Sequence, residues 1–487
     1  MSQRREVLKS LAAAPLLGLA ARAQCAQGAT PVKPELSAED AKRDLRILQR
    51  AFADLHPGLH RYASSTQLDA AFAFANGAVA ACSNRAQMVM LASQLAASVH
   101  CGHTWVNPYN QRQDVVDAVF QRADKLPLTL RWIEGRALVT GSAAPGLSAG
   151  SEILAIDGRP VTAIRDELLP LLRADGLHPG ARLKRLSQLD SGPNGGAMDR
   201  LFPLRSPPSN GQYTLTLRER AGGNPRDIDV RAMTTAMREQ VLPPPSTAWS
   251  FRIDGGIGVL TLPTFAFWRS DFKPKAFLQQ TFEALRGVPY LIIDQRHNEG
   301  GDDAIGRTLL SHLLRKPLQL PGYQVESAYE RVPYELARYL DTWDFGFFDR
   351  TGQVRKGAGR NWLLPDQPGY RIEPVATPYA GRTLVMIGPQ NSSAGFLLAR
   401  DIQRSGVARL LGQPTGGNLR GLNGGQLAWI NLPASGVGVD IPLIASFAMG
   451  DPPDAGVIPD MAVAPRWSDA LAGIDTEIVA ARAQVKA

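Results

Sequence analysis

The chain has 487 residues, 44% of them hydrophobic and 20% charged, with a formal net charge of +8. That length exceeds one ordinary core, so two or three domains are expected, and three cysteines are too few for a disulfide scaffold. The basic residues are spread out, with no dense Lys/Arg block and no basic stripe interleaved with aromatics, which argues against a nucleic-acid partner.

At the N-terminus, 4-RREVLK-9 precedes the short apolar run 10-SLAAAPLLGLAARA-23. A charged start, an apolar stretch and Ala21-Arg22-Ala23 predict an export signal over 1–23, cut after about Ala23. The paired arginines resemble a twin-arginine signal, which implies a bacterial protein exported to the periplasm or beyond. Removing these residues takes away Arg4, Arg5, Lys9, Arg22 and Glu6 and leaves +5. The run is too short and Ala-rich for a stable anchor, and no other run is long and apolar enough to cross a membrane. Cys25 follows the signal, but its preceding residues fit a lipidation site poorly. Cys82 and Cys101 are a candidate disulfide pair in an oxidising compartment.

A helical region is expected over 35–110. The stretch 37-SAEDAKRDLRILQRAF-52 opens on a Ser-x-x-Asp cap signal with apolar residues at helical spacing, and 66–80 and 86–98 read the same way. It ends at 99-VHCGHTWVNP-108. Residues 115–235 change to short alternating runs such as 128-LTLRW-132 and 213-YTLTLRE-219. At their centre, 148-SAGSEILAIDGRPVTAIRDELLPLL-172 resembles the core of a PDZ domain, with Ser151 where the usual signature has Asp. Such domains bind extended peptides by strand addition. The linker 242-LPPPST-247 leads into a third region over 248–475. Strands at 256–262, 289–295 and 383–388 alternate there with helices at 274–286, 303–315 and 394–405, which predicts a parallel sheet with crossover connections. Strands return at 408–412, 426–433 and 437–445. The aromatic-rich stretch 320–380 has little periodicity and reads as an insertion or lid.

Two loops of the third region carry chemistry. In 389-PQNSSAGFLLARDIQRSG-406, Ser392 and Ser393 stand where a buried strand becomes a helix. Helix capping explains a serine there; so does a nucleophile, because the free N–H groups and dipole of the helix N-terminus favour developing negative charge. In 290-YLIIDQRHNEGGDD-303, Gly300 and Gly301 let the backbone approach a ligand closely, and Asp302 or Asp303 can cap the next helix. Of the seven histidines, His178 and His312 look incidental. His56 and His60 lie in HPGLH, where Pro and Gly break the helix that would align them on a metal. His100 and His103 flank Cys101-Gly102 on a turn. No CxxC, HExxH or matching carboxylate cluster accompanies them, so no metal and no organic cofactor is expected.

Taken together these segments resemble peptidase family S41, the tail-specific and tricorn-like serine peptidases. The stretch 294-DQRHNEGG-301 resembles the family's Asp-Leu-Arg-x-Asn-x-Gly-Gly loop, and Ser393-Ala394-Gly395 its Ser-Ala-Ala nucleophile turn. Further matches are 412-GQPTGGN-418, 456-GVIPDMAV-463 and 101-CGHTWV-106, the last resembling the Asp-Gly-His-Thr turn of the His-dependent branch. The resemblance implies a multi-domain α/β (α+β) chain: a helical region, a PDZ-like domain and a parallel-sheet peptidase domain of the ClpP/crotonase-like type. Position 418, where the Ser/Lys branch would place its lysine, is Asn. The branch implied is therefore Ser-His, with Ser393 as nucleophile and His103 as general base. The N–H groups of Gly300 or Gly301 and of Ala394 would form the oxyanion hole. Asp451 is the orienting acid by position, with Asp454 and Ser392 as second choices for the acid and the nucleophile. Phe396 stands where many relatives carry an acid. The implied activity is peptide-bond hydrolysis on peptide or protein substrates. Two alternatives stay open at this point: a non-cleaving binding protein on the same fold, its cleft lined by 343-WDFGFF-348, and a hydrolase of non-peptide esters. The sequence leaves the oligomeric state unknown.

Overall fold

The computed structural model describes residues 35–187, 196–220, 222–268, 270–365 and 368–487. The expected export signal over 1–23, and Cys25, lie outside the described residues.

Helix α1 (Ala38–Leu55) starts where Ser37 accepts a hydrogen bond from the Asp40 N–H at 3.1 Å. Its apolar residues recur at helical spacing, and Leu45, Leu48, Phe52 and Leu55 are fully buried. With α2 (Ser65–Ala78) and α3 (Arg85–Ser98) it forms one core. That core is not local to the N-terminal third. It also takes in Tyr329–Leu340 residues and the strands that hold Ala428, Ile430, Val439 and Ile441. Burying each such side chain contributes about 1.5–3 kcal/mol, so these contacts join the N-terminal helices to strands some 330 residues or more later in the chain.

The next segment is a mostly antiparallel sheet ordered β1 (Leu128–Ile133), β2 (Arg136–Ser142), β3 (Glu152–Ile156), β5 (Gln212–Arg218), β6 (Arg226–Arg231), with β4 (Arg159–Pro160) hairpinned onto β3. Asp157 and Gly158 make that hairpin with φ of +50° and +72°, the left-handed pair a tight turn requires. Helices α4 (Val161–Leu168), α5 (Pro179–Leu186) and α6 (Ala197–Arg205) accompany it, and α4 packs its Val161, Ile164 and Leu168 into the core of this sheet.

The third segment is built on a six-stranded sheet. Strands β7 (Ser250–Asp254) and β8 (Ile257–Thr261) are antiparallel. Beyond them β9 (Tyr290–Asp294) runs parallel to β8, after helix α7 (Pro274–Ala284). Helix α8 (Asp303–Leu313) follows, then β10 (Tyr323–Ser327), β11 (Arg382–Ile387), helix α9 (Ser393–Ser405) and β12 (Arg409–Gly412). Short strands β13 (Gly421–Asn423), β14 (Leu427–Asn431), β15 (Gly438–Pro442), β16 (Ala445–Ala448) and β17 (Met461–Ala462) precede a last helix, α10 (Thr476–Gln484). The main sheet is ordered β17, β12, β11, β9, β8, β7.

Both faces of this sheet are covered, which is why its strands read as unbroken apolar runs. Ile293, Val385 and Ile387 face the core shared with α7, α8 and α9, while Ile292, Leu384 and Met386 face Ala481 and Val485 at the C-terminus. Strands β9 and β11 are neighbours in register, Ile293 opposite Val385, so the loops leaving their C-terminal ends lie side by side.

Residues 320–380, inserted between α8 and β11 of the main sheet, are not without regular structure. Strand β10 is the middle strand of a five-stranded sheet ordered Arg355–Lys356, Trp362–Leu363, β10, β16, β13. The pairing is long-range (Val325 with Ser446), which local periodicity cannot show. The aromatic stretch 343–348 packs on the first core, with Trp343 beside Trp429 of β14 at 6.3 Å. Cys82 and Cys101 are both buried and unpaired, so the candidate disulfide is absent.

Candidate active site

The loop after β9 is held rigid from within. The Asn298 amide donates to the Leu262 carbonyl at 3.0 Å, and its Oδ1 accepts the Gly300 N–H at 2.8 Å. The Phe265 N–H donates to the Gly300 carbonyl at 2.9 Å and the Asp302 N–H to the Phe265 carbonyl at 3.0 Å. At the base of the loop, Arg296 is buried among Asp294, Asp475 and Glu477, tying it to the start of α10. The loop after β11 is fastened to it: the Asn391 amide donates to the Asn298 carbonyl at 3.1 Å, while Asn391 Oδ1 accepts the Gly388 N–H at 2.9 Å.

Ser393 stands on the fastened turn. Its φ is +48°, a left-handed conformation that costs a non-glycine residue about 1–2 kcal/mol and therefore has to be imposed by its surroundings. Neither serine caps α9. Ser392 occupies the N-cap position without a side-chain cap bond, and its hydroxyl donates instead to the Glu299 carbonyl at 3.1 Å. The Ser393 hydroxyl has no hydrogen-bond partner among the described residues and is half-buried. Gly300 is pressed against it. A Cβ built on Gly300 would lie 2.7 Å from the Ala394 nitrogen and 2.9 Å from the Ser393 Cβ, at a φ of +108°. The Gly300 N–H is already spent on Asn298, whereas the N–H groups of Gly301 and Ala394 make no hydrogen bond among the described residues.

His103 arrives from the N-terminal segment, on the turn after α3. The Asp440 N–H donates to the Trp105 carbonyl at 2.9 Å, which docks that turn on β15. Gly424, after β13, packs against the imidazole, an ideal Cβ lying 3.4 Å from its Cε1. A third segment closes round the turn. Arg173 donates to the Gly102 carbonyl, lies over the Trp105 ring at 3.9 Å and reaches Glu299 Oε2 at 3.3 Å. Arg185 donates to Glu299 Oε1 at 2.6 Å. Asp175 Oδ1 accepts the Gly102 N–H at 2.8 Å, and Arg182 meets His100 Nδ1 at 2.7 Å. Contacts thus run from Gly102 through Arg173 and Glu299 to Gly300 and Ser393. No hydrogen bond joins the His103 ring to the Ser393 hydroxyl in this structure.

Burial pushes the His103 pKa down. Asp175 and Glu299 pull it back up, and Arg173 and Arg185 oppose them, so the neutral imidazole prevails at ordinary pH. Burial also works against ionisation of Glu299, but Arg185 and Arg173 outweigh it and hold that carboxyl below its usual range.

Sequence reasoning singled out Ser392, Ser393, Ala394, Gly300 and Gly301, and the structure brings these together. Asp451 lies on the exposed loop after β16 and makes no hydrogen bond or ion pair among the described residues. Asp454 accepts from the Asn418 amide at 2.6 Å and lies 3.6 Å from Arg420. His56 does not pair with His60: it is buried on Thr104 Oγ1 at 3.0 Å, and burial pushes its pKa down to about 3. His312 stacks on Phe282 at 4.4 Å. Glu299, Arg173, Arg185 and Asp175 were missed. Nothing local marks them, because Arg173 and Glu299 are 126 residues apart in the chain.

Residues 256–463, which carry both loops and the strands that set them side by side, match the model of peptidase family S41. The chain carries an S41-family peptidase domain. The family matched by residues 256–463 is one of serine-type peptidases, which accords with a strained serine at the strand-to-helix turn. The fold extends well beyond the matched domain. Mature CPAF complexed with lactacystin is 17% identical, with 89% of this chain and 95% of that chain covered and a TM-score of 0.61. A second structure of mature CPAF is 16% identical, with 89% and 94% covered and a TM-score of 0.57. At these identities the likeness is one of fold. No curated protein matches the chain. The Gly-x-Ser-x-Gly pentapeptide 146-GLSAG-150, the elbow pattern of another hydrolase fold, lies in the turn between β2 and β3, away from any strand-to-helix junction.

Proposed function

We propose that this S41 peptidase hydrolyses peptide bonds with Ser393 as nucleophile and His103 as general base. The observation that carries this reading is Ser393 itself: a hydroxyl without a partner among the described residues, in a left-handed conformation, packed on Gly300 and followed by Ala394, whose N–H, like that of Gly301, makes no hydrogen bond among the described residues. His103 takes the Ser393 proton as Oγ attacks the scissile carbonyl, and returns it to the leaving amine. The carbonyl oxygen gains negative charge in that step. Gly301 and Ala394 N–H stabilise it, because they are fixed by the two loops and have no competing partner among the described residues. Gly300 supplies room rather than its N–H, which serves Asn298. Ser392 holds the turn through Glu299 and is not the nucleophile. The hydroxyl-to-imidazole contact forms when substrate fills the cleft, as catalytic hydrogen bonds commonly tighten on binding.

The substrates are peptides or proteins. The sheet of residues 128–231, with its hairpin and α4, supports a PDZ-like role in presenting extended chains by strand addition. Export through the signal over 1–23 places the enzyme in the periplasm or outside the cell; among the described residues no helix is long and apolar enough to cross a membrane. Free oxyanion donors and an unengaged serine favour hydrolysis over a binding-only role. Incubating the protein, Ser393→Ala and His103→Ala with unfolded protein and a mixed peptide library, with products read by mass spectrometry, tests the proposal. New termini are expected with the wild type alone. Cleavage that persists in Ser393→Ala would refute it.

A further inference from the structure

We propose that Asp175, not Asp451, is the positioning carboxylate for His103, holding its turn and balancing the imidazolium formed when Ser393 is deprotonated. This rests on the Ser393–His103 reading above. Asp175 lies between α4 and α5, far from the peptidase loops in sequence, and it is only 2% exposed. Its segment grips the base-bearing turn at two points. Oδ1 accepts the Gly102 N–H at 2.8 Å, and the adjoining Gly176 N–H donates to the His100 carbonyl at 2.9 Å. A Cβ built on Gly102 would lie 2.7 Å from Asp175 Oδ2, so the carboxylate is packed directly on the residue before His103.

A buried carboxylate is costly unless its charge is matched. Among the described residues, the hydrogen bond from the neutral Gly102 amide is its one direct bond. The charged groups around His103 are Asp175, Glu299, Arg173 and Arg185. Glu299 is committed to both arginines. Asp175 makes no ion pair among the described residues, although its charge also bears on Arg173 and His178, and of the charged neighbours of His103 it acts most strongly on the imidazole. His103 Nδ1 is buried without a hydrogen-bond partner among the described residues. The ring therefore has no competing acceptor at that nitrogen as charge develops, whereas Asp451 is exposed and makes no hydrogen bond or ion pair among the described residues.

The test compares Asp175→Asn and Asp451→Asn in the full chain through kcat/KM against pH on a cleaved peptide, with thermal melting alongside. Asn keeps an acceptor for Gly102, so Asp175→Asn is expected to fold. It should lower kcat by about 10- to 100-fold with little change in KM. It should also move the acid limb of kcat/KM to lower pH, since the group that raises the imidazole pKa is gone. A purely structural role would not move that limb. Asp451→Asn should match the wild type. If Asp175→Asn melts early, Asp175→Ser and Asp175→Glu give the readout: Glu retains the acid limb and Ser does not. A folded Asp175→Asn with unchanged kcat and pH limb overturns this assignment, as does a loss confined to Asp451→Asn. If wild-type cleavage is insensitive to Ser393→Ala, the functional reading itself has failed, independently of Asp175.

Discussion

Gly300→Ala measures how tightly the nucleophile turn is packed. The added methyl would sit 2.7 Å from the Ala394 nitrogen, 2.9 Å from the Ser393 Cβ and 3.0 Å from the Ser392 carbonyl, all on the backbone or first side-chain carbon of the turn. None of these atoms belongs to a flexible side chain that can swing away. The φ of +108° adds strain of about 1–3 kcal/mol for any residue with a Cβ. The cheapest relief is to push the α9 N-terminus away, which takes the Ala394 N–H out of line with a developing oxyanion. Losing one such donor costs about 100- to 1000-fold in kcat, or about 3–4 kcal/mol. The fall should appear in kcat on a fluorogenic peptide, with KM nearly unchanged and melting lowered by a few degrees. Gly77→Ala is the control: nothing lies within 4 Å of its ideal Cβ near the end of α2, so activity should hold. Gly300→Ala at wild-type kcat would refute the claim that Gly300 sets the geometry of this turn.

Other perturbations follow from the same structure. Arg296→Ala strips the shared partner from Asp294, Asp475 and Glu477 and should destabilise the fold by about 3–5 kcal/mol in denaturant titration; a loss under 1 kcal/mol would contradict the buried network. Burial raises the Asp440 carboxyl from 3.8 to about 6, against hydrogen bonds from Asn110 and Asn107 that pull it down. A raised acid favours the folded state while protonated, so its contribution is full below pH 3.8 and is lost as pH rises through about 6. Asp440→Asn should flatten the melting profile across that window, and an identical slope in the variant would count against it. Burial lowers the His103 pKa, so the acid limb of kcat/KM should fall below the ordinary histidine value of 6.5; a limb above it would mean another base. Ser392→Ala should keep activity and lose about 0.5–1.5 kcal/mol of stability from its bond to Glu299.

Much of the peptidase domain was legible in the sequence because its signals are local. Val385 and Ile387 alternate with Leu384 and Met386 inside one short run, and Asp302 caps α8 within two residues, at 2.9 Å from the Ala304 N–H. Ser393, Gly300 and Gly301 fall on two loops whose adjacency follows from the parallel order of β9 and β11. What escaped is long-range. The first core needs Ile430 and Val439 to cover α1, and β10 finds β16 across some 120 residues. The Asp175–Gly102 and Arg173–Glu299 contacts join three separate segments by single polar groups, which leave no periodicity to read.

The most direct measurement is covalent labelling with a fluorophosphonate probe, read by intact mass and peptide mapping. An activated serine beside oxyanion donors should give a single adduct on Ser393, absent in Ser393→Ala and much slower in His103→Ala. An adduct on Ser392, or none on folded protein that cleaves peptides, would contradict the account.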